Sequence, residues 1–152
     1  MLTGDIMIPW PQEELQPGND KADLTAGQQT HFGTLRVLVV DDDFAIKVVV
    51  TAMLEVLGCL VDRAEDGIKA LDCMAARHYD LVLTDLNMPA MDGFSLACTI
   101  RRRRPNTKIV IMTGTCRDDV QAMVGADQVN AWLFKPFSMR EVRQLINRFE
   151  SL

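Results

Sequence analysis

Short apolar runs alternate with longer amphipathic stretches from Leu35 to the end of the chain. The runs cover residues 36–40, 60–63, 81–84, 108–112 and 131–134. Their near-continuous Val, Ile and Leu content is typical of strands buried on both faces. Between them, apolar residues recur three and four positions apart, which predicts helices. Five such β/α repeats predict one parallel sheet with right-handed crossovers and helices on both faces.

The helical stretches also carry signals for their ends. Gly58 is expected to end the first helix, because glycine readily adopts the left-handed conformation that follows a helix. Ser138 and Glu141 have the spacing of a capping box and are expected to begin the last helix. The stripe of the first helix expected to face the core comprises Ile46, Val49, Val50, Met53, Leu54 and Leu57.

Residues 1–34 differ from the rest of the chain. They contain Pro9, Pro11, Pro17 and several isolated acidic residues, and they show no sustained helical or alternating periodicity. We interpret them as a flexible N-terminal extension. The remaining residues, 35–152, are enough for one domain with a full core and too few for two ordinary ones.

Composition narrows the classes of function. With 16 Lys and Arg against 21 Asp and Glu, the net charge is −5 and argues against nucleic-acid binding through the overall field. No apolar stretch approaches the roughly 20 residues of a membrane span, and the N-terminus lacks the pattern of a signal peptide. The four cysteines are scattered and are expected to be reduced, mostly buried thiols. A cytoplasmic location without membrane contact is therefore expected.

Several polar residues stand at the ends of the predicted strands. They are Asp41, Asp42, Asp85, Thr113 and Lys135. In an open parallel sheet the carboxyl ends of the strands share one edge, and ligands bind there beside the switch in strand order. We therefore expect these side chains to form one site.

The chemistry of this set favours a metal and a phosphoryl group. Converging carboxylates repel one another unless a cation neutralises them, and Mg²⁺, or Mn²⁺, suits oxygen ligands of this kind. Asp85, last in its strand and first in a turn, is placed to attack phosphorus and form an acyl phosphate. Lys135 and Thr113 have the groups needed to hold the phosphoryl oxygens.

Four separated motifs in this order resemble those of response regulator receiver domains, the phosphoacceptor part of two-component signalling. The motifs are residues 39–43, residues 85–93 with Met88, Pro89, Asp92 and Gly93, Met112–Thr113, and Lys135–Phe137. The resemblance, closest in type to chemotaxis regulators, covers about residues 35–150. It implies a doubly wound α/β fold of the flavodoxin type, with five parallel strands in the order 2-1-3-4-5.

The resemblance also implies roles at the site. Asp85 matches the phosphorylated aspartate, Asp42 a direct metal ligand, Asp41 an acid that contacts metal through water, and Asn87 a ligand through its backbone carbonyl. With Asp85 itself, these residues would form the metal site. Lys135 would pair with the phosphoryl group, and a cis bond is implied between Lys135 and Pro136.

Two positions are implied to act as a switch. Thr113 matches the hydroxyl residue that moves toward the phosphoryl group, and Trp132 stands where the family usually has Tyr or Phe. The resemblance implies that their movement changes the face formed by the fourth helix, the fifth strand and the fifth helix. That face would then bind a downstream protein or a second copy of the chain.

The expected function is to accept a phosphoryl group from a sensor histidine kinase or a histidine phosphotransfer protein. Such a domain catalyses only its own phosphorylation and dephosphorylation and is not otherwise an enzyme. No output domain is expected in this chain, because it ends two residues after the last predicted helix. The alternative is a receiver-like scaffold that acts without phosphorylation.

Other classes fit less well. A dehalogenase-like phosphatase would need a second aspartate where Asn87 stands, and a calcium loop would need glycine at Ala90. A flavodoxin would need a phosphate-binding loop after the first strand, where Asp41 and its neighbours would repel phosphate.

Overall fold

A computed structural model describes residues 6–7, 34–123, 125 and 128–151. From residue 36 onward, strands and helices alternate in the described residues. The elements are β1 (Ile6–Met7), β2 (Arg36–Val40), α1 (Phe44–Val56), β3 (Leu60–Ala64), α2 (Gly67–Ala76), β4 (Leu81–Asp85), α3 (Gly93–Arg103), β5 (Lys108–Thr113), α4 (Arg117–Gln121), β6 (Ala131–Phe134) and α5 (Met139–Glu150).

The strands form one sheet in the order β1-β6-β5-β4-β2-β3. All pairings among β2 to β6 are parallel. Counted from β2 as the first of the five predicted strands, this order is 2-1-3-4-5, which confirms the predicted topology. The switch in order falls between β2 and β4, and both of these strands end in the acidic residues singled out above.

β1 is an addition that the sequence pattern did not predict. It pairs antiparallel with β6 at the outer edge of the sheet, with Ile6 opposite Leu133 and Met7 opposite Trp132. Apart from Ile6, Met7 and Thr34, the predicted flexible extension of residues 1–34 lies outside the described residues.

The core has two layers, one on each face of the sheet, because alternate strand residues point to opposite faces. On one face Leu38, Val82, Ile109, Ile111 and Trp132 pack with residues of α2, α3 and α4. On the other face Val39, Leu83, Val110, Met112 and Leu133 pack with residues of α1 and α5. β2, β4, β5 and β6 are therefore buried on both sides, as their composition predicts. The prediction is wrong for β3, an edge strand whose residues are mostly half-buried or exposed.

The predicted helix ends are found, whereas the predicted stripe of α1 is partly wrong. Ser138 and Glu141 form the capping box of α5, and Gly58, with φ of 86°, follows the end of α1. Val50 and Leu54 are buried, but Val49 is 52% exposed. Apolar residues surround α1 on more than one face, so periodicity alone could not decide which face meets the core.

Two further expectations concern the cysteines and the membrane. The four cysteines are all free thiols, but only Cys59 among them is buried, so the expectation of mostly buried thiols is wrong. Burial raises the pKa of Cys59 to about 11, while Cys116 is exposed. Within the described ranges, no helix has both the length and the apolar character needed to cross a membrane.

A close backbone contact joins the end of β4 to the start of α3. The Gly93 N–H donates a hydrogen bond of 2.8 Å to the Leu86 carbonyl. A Cβ atom at Gly93 would lie 2.1 Å from the Asp85 carbonyl oxygen, which is far inside van der Waals contact. Glycine is therefore required here for close approach, and the approach fixes the backbone of Asp85.

We expect Gly93→Ala to destabilise the fold by about 2 kcal/mol or more, because backbone must move to admit the new methyl group. The measurement is the urea midpoint of unfolding. Gly114→Ala is the matched control, since a Cβ at Gly114 has no neighbour within 4 Å, and it should change stability by less than about 0.5 kcal/mol. Equal effects of the two substitutions would contradict the inferred contact.

Candidate functional site

Three carboxylates meet at the carboxyl edge of the sheet. One oxygen each from Asp41, Asp42 and Asp85 lies within 4.8 Å of the others. Asp41 and Asp42 follow β2, and Asp85 ends β4, the neighbouring strand. The parallel pairing of these two strands is what brings side chains 43 or 44 positions apart into one cluster. The predicted convergence of these residues is thus found.

Asp41 is the buried member of the cluster, at 1% exposure. Its carboxylate accepts a 2.8 Å hydrogen bond from the Asp43 N–H and a 3.3 Å bond from Lys135 Nζ. Burial nevertheless raises the pKa of Asp41, with the charge of Asp85 acting in the same direction. A carboxyl group whose pKa rises on folding costs stability as pH increases through that pKa. The ionised pocket therefore favours a compensating cation.

Lys135 supplies one such cation from the end of β6. Its Nζ donates hydrogen bonds to Asp85 Oδ1 at 2.9 Å and to Asp41 Oδ2 at 3.3 Å. Burial alone would lower the pKa of Lys135, but the hydrogen bond to Asp85 and the two carboxylate charges outweigh it and raise the pKa. Lys135 is therefore charged at neutral pH. The Lys135–Pro136 peptide bond is cis.

Asp85 is the less buried member of the pair that Lys135 joins, at 9% exposure. It ends β4, and the Thr84 hydroxyl donates a 3.0 Å hydrogen bond to its carbonyl oxygen. The chain then turns through Ala90, whose φ of 66° is unusual for a residue other than glycine. This turn returns at Gly93 to the contact described above. The carboxylate thus projects from a fixed backbone.

Thr113 and Asn87 lie at or just after the ends of neighbouring strands: Thr113 is the last residue of β5, and Asn87 lies two residues after the end of β4. Thr113 is buried at the end of β5; its hydroxyl accepts a 3.0 Å hydrogen bond from the Thr115 N–H, and its carbonyl accepts one from the Lys135 N–H. Asn87 is exposed in the turn after β4. Its predicted role as a metal ligand through the backbone carbonyl stays a prediction.

Trp132 is fully buried in β6, three residues before Lys135. Its ring packs in the core layer formed with α2, α3 and α4. The indole Nε1 is buried without a hydrogen-bond partner among the described residues. The bulky indole ring is therefore accommodated inside the core.

The three consecutive aspartates, Asp41 to Asp43, have two different roles in the structure. Asp43 is the N-cap of α1 and accepts a hydrogen bond from the Ile46 N–H. Asp41 and Asp42 belong to the acidic cluster. Two features had no clear sequence signal: the double contact of Lys135, which joins the ends of β2, β4 and β6, and the close approach at Gly93.

The arrangement combines a nucleophile, a cation and a pocket of hard oxygen donors. Carboxylate oxygens are the ligands that Mg²⁺ prefers, and one or two carboxylates are typical of its sites. The three donor atoms fit such an ion. A strand-end aspartate beside a lysine has the groups needed to receive a phosphoryl group and to neutralise its oxygens.

Comparison with known proteins decides between the possible families. The family model described as the response regulator receiver domain matches residues 37–147, most of the chain. The chain belongs to the response regulator receiver domain family. This family comprises phosphoacceptor signalling domains of two-component systems and not enzymes in the usual sense.

Curated relatives carry the receiver domain as part of larger proteins. The chain is 34% identical over 105 residues to the sensor protein EvgS of Escherichia coli K12, covering 69% of this chain and 9% of that protein. It is 37% identical over 114 residues to the DNA-binding transcriptional regulator NtrC of the same organism, covering 74% of this chain and 24% of that protein. The chain thus spans only a small part of either relative.

Solved structures show the same receiver domain architecture. Chemotaxis response regulator CheY4 of Vibrio cholerae has a TM-score of 0.70 and 28% identity, covering 76% of this chain and 98% of that one. The receiver domain of a sensor histidine kinase from Pseudomonas aeruginosa PAO1 also has a TM-score of 0.70 and 28% identity, covering 78% and 99%. In that structure a magnesium ion is coordinated in the active site cleft.

We expect Lys135→Met to lower the stability of the receiver domain by about 2 kcal/mol at neutral pH, because it leaves two close carboxylates without their cation. The loss should shrink toward acidic pH, since protonation of Asp41, whose pKa is already raised, removes the repulsion. Thermal unfolding across a pH series measures both effects.

Lys69→Met is the matched control for this measurement. Lys69 also pairs with an acid, Glu65, but both side chains are more than half exposed. Its loss should change stability by less than about 0.5 kcal/mol. A Lys135→Met variant that unfolds like the Lys69→Met control would show that Lys135 does not hold the carboxylates together.

Proposed function

We propose that this receiver domain accepts a phosphoryl group on Asp85 from a phosphohistidine of a sensor histidine kinase or histidine phosphotransfer protein. The observation that supports this most is the contact of Lys135 Nζ with Asp85 Oδ1 at 2.9 Å, beside the Asp41 and Asp42 carboxylates. In the transfer an Asp85 oxygen forms a bond to phosphorus as the phosphorus–nitrogen bond of the donor breaks. The product is an acyl phosphate that the domain itself later hydrolyses.

The residues around Asp85 have different roles in the proposed transfer. Lys135 keeps Asp85 oriented before the reaction and then faces the new phosphoryl oxygens as a cation. Asp41 holds Lys135 from its other side and accepts the Asp43 N–H, which fixes its own carboxylate. The Thr113 hydroxyl, at the end of the neighbouring strand β5, accepts a hydrogen bond from the Thr115 N–H. It is the neutral group that would donate a hydrogen bond to a phosphoryl oxygen.

Mg²⁺, or Mn²⁺, is the proposed cofactor. Asp41, Asp42 and Asp85 would hold it, with the Asn87 carbonyl as a further ligand. When bound, the ion would neutralise negative charge on the phosphoryl oxygens and the carboxylates. The set of carboxylate donors itself supports this binding. The raised pKa of Asp41 supports it as well, because burial disfavours the ionised carboxylate and a bound cation would offset that cost.

The phosphodonor partner would approach from the side of α1. Phe44 begins this helix directly after the three aspartates and is 73% exposed, and Val48 one turn later is also exposed. Exposed apolar side chains beside a polar site favour protein contact. A cytoplasmic location belongs to the same proposal and is supported by the free thiols.

The output is proposed to leave through α4, β6 and α5. The Lys135 N–H donates a hydrogen bond to the Thr113 carbonyl. Trp132 lies in β6, the strand that leads directly to Lys135. A shift of Thr113 toward the phosphoryl group would therefore act on β6 directly. Such coupling is a change in the population of two states, which a downstream protein or a second copy would read.

A scaffold that acts without phosphorylation is the second candidate, and one experiment separates the two. Incubation with a small acyl phosphate and Mg²⁺ should add the mass of one phosphoryl group to the intact protein. Asp85→Asn should add none, because the amide cannot form the acyl phosphate. Omission of Mg²⁺ should slow the reaction strongly. A native chain that gains no mass, or a mutant that does, would favour the scaffold.

Mg²⁺ binding is testable without phosphorylation. At ten times its dissociation constant, Mg²⁺ should stabilise the folded protein by about 1.4 kcal/mol and raise Tm by about 3–6 °C. Asp42→Asn should abolish most of the shift. Asp43→Asn is the matched control: it lies one residue further on, serves as the N-cap of α1, and should keep the full response. Equal shifts in both variants would argue against the assigned ligands.

A further inference from the structure

The outer edge of β6 is a surface that takes an added strand. β6 is the last of the parallel strands, so the hydrogen-bonding groups on its far side would be unpaired without β1. Exposed groups of this kind bind extended peptides through main-chain hydrogen bonds. In this structure β1 fills the edge with an antiparallel pairing of two residues.

The register identifies the groups on that edge. The Met112 carbonyl accepts the Leu86 N–H on the β4 side, so the Thr113 carbonyl is the one that faces β6, where it accepts the Lys135 N–H. Successive amides point to opposite sides of a strand. Counting back two residues from Lys135, the Leu133 amide also faces β5, and the Trp132 amide faces outward, opposite Met7.

The edge lies close to the phosphoacceptor site along the chain. Trp132 is three residues before Lys135, whose Nζ contacts Asp85. A strand seated on β6 therefore holds the segment that carries the lysine. The same strand pairs beside Trp132, whose ring is buried in the core.

The pairing of β1 with β6 covers only two residues, whereas 26 residues, 8–33, separate Met7 from Thr34. A two-residue strand is far below the length that is stable alone, so local opening is expected. Residues 8–33 connect Met7 to Thr34, and about 26 residues can reach roughly 85 Å when extended. The path from β1 to β2 crosses four strand spacings, or about 19 Å. The segment can thus reach β6 of its own chain and can also leave it.

We propose that the segment carrying Ile6 and Met7 is a releasable cap on β6, and that the edge beneath it is a docking surface for an extended strand. The occupant in the resting protein is the chain's own N-terminal segment. A partner that adds a strand gains the edge only when the cap leaves. That this partner is the downstream protein rests on the proposed function; the cap itself does not.

Hydrogen exchange on the full, unphosphorylated chain tests the cap. Met7→Pro removes the N–H that faces the Trp132 carbonyl, and it should speed exchange of the Trp132 amide by about tenfold or more. The Leu133 amide faces β5 and should keep its native rate, which shows that the fold is intact. Leu15→Pro, a proline in the same extension outside β1, should leave both amides unchanged.

A peptide added in trans tests the docking surface. A synthetic peptide of residues 1–12, added to the Met7→Pro chain at about millimolar concentration, matches the effective concentration of a tethered segment and should restore Trp132 protection. The same peptide with proline at position 7 should not. An unchanged Trp132 rate in Met7→Pro would overturn the cap, and failure of the native peptide would overturn the docking surface.

Two further outcomes are separable. If Trp132 protection in the native chain falls on dilution together with loss of a dimer in sedimentation, a second copy supplies β1 and the cap in cis is overturned. Failure of Asp85 to take a phosphoryl group would sink the proposed function and leave these exchange results standing.

Discussion

The ion pair of Lys135 with Asp41 and Asp85 is the interaction on which the site depends. Three acidic side chains at one sheet edge repel one another, and burial of Asp41 increases the cost. Lys135 makes their convergence tolerable because its ammonium contacts two of the three carboxylates. Lys135 neutralises this negative charge only in part, because its ion pairs are with Asp41 and Asp85 and not with Asp42. The site therefore still attracts a cation.

This interaction explains why the order of strands matters. Asp41 and Lys135 are 94 positions apart, and neither strand that carries them pairs with the other. β4 and β5 lie between β2 and β6, so the long lysine side chain must reach across the sheet edge to join the acids. Parallel strands make this possible, because all of their carboxyl ends lie on the same side.

Much of the fold could be predicted from the sequence because strand burial and helix caps are local signals. The apolar runs predict the first residue of all five parallel strands correctly, and the Ser138 cap depends on residues three apart. The site could be predicted from the sequence because each of its charged residues ends a strand or directly follows one. The family resemblance added the strand order, which periodicity alone does not determine.

Other features depend on contacts that no local pattern reveals. Val49 is apolar yet exposed, because the choice of face for α1 is made by the whole core. β1 has only two residues and no strand-like period, and its pairing is defined by the free edge of a distant strand. The full burial of Trp132 is likewise a property of the packing around β6 and not of its neighbours in sequence.

The contact between Gly93 and the Asp85 carbonyl has a consequence for how a signal can travel. α3 packs against the backbone of Asp85, with no space for even one methyl group between them. Under the proposed function, we expect that β4 cannot move away from a phosphoryl group on Asp85, because α3 holds its backbone. We therefore expect the displacement to pass to β5 and β6, whose ends carry Thr113 and Lys135.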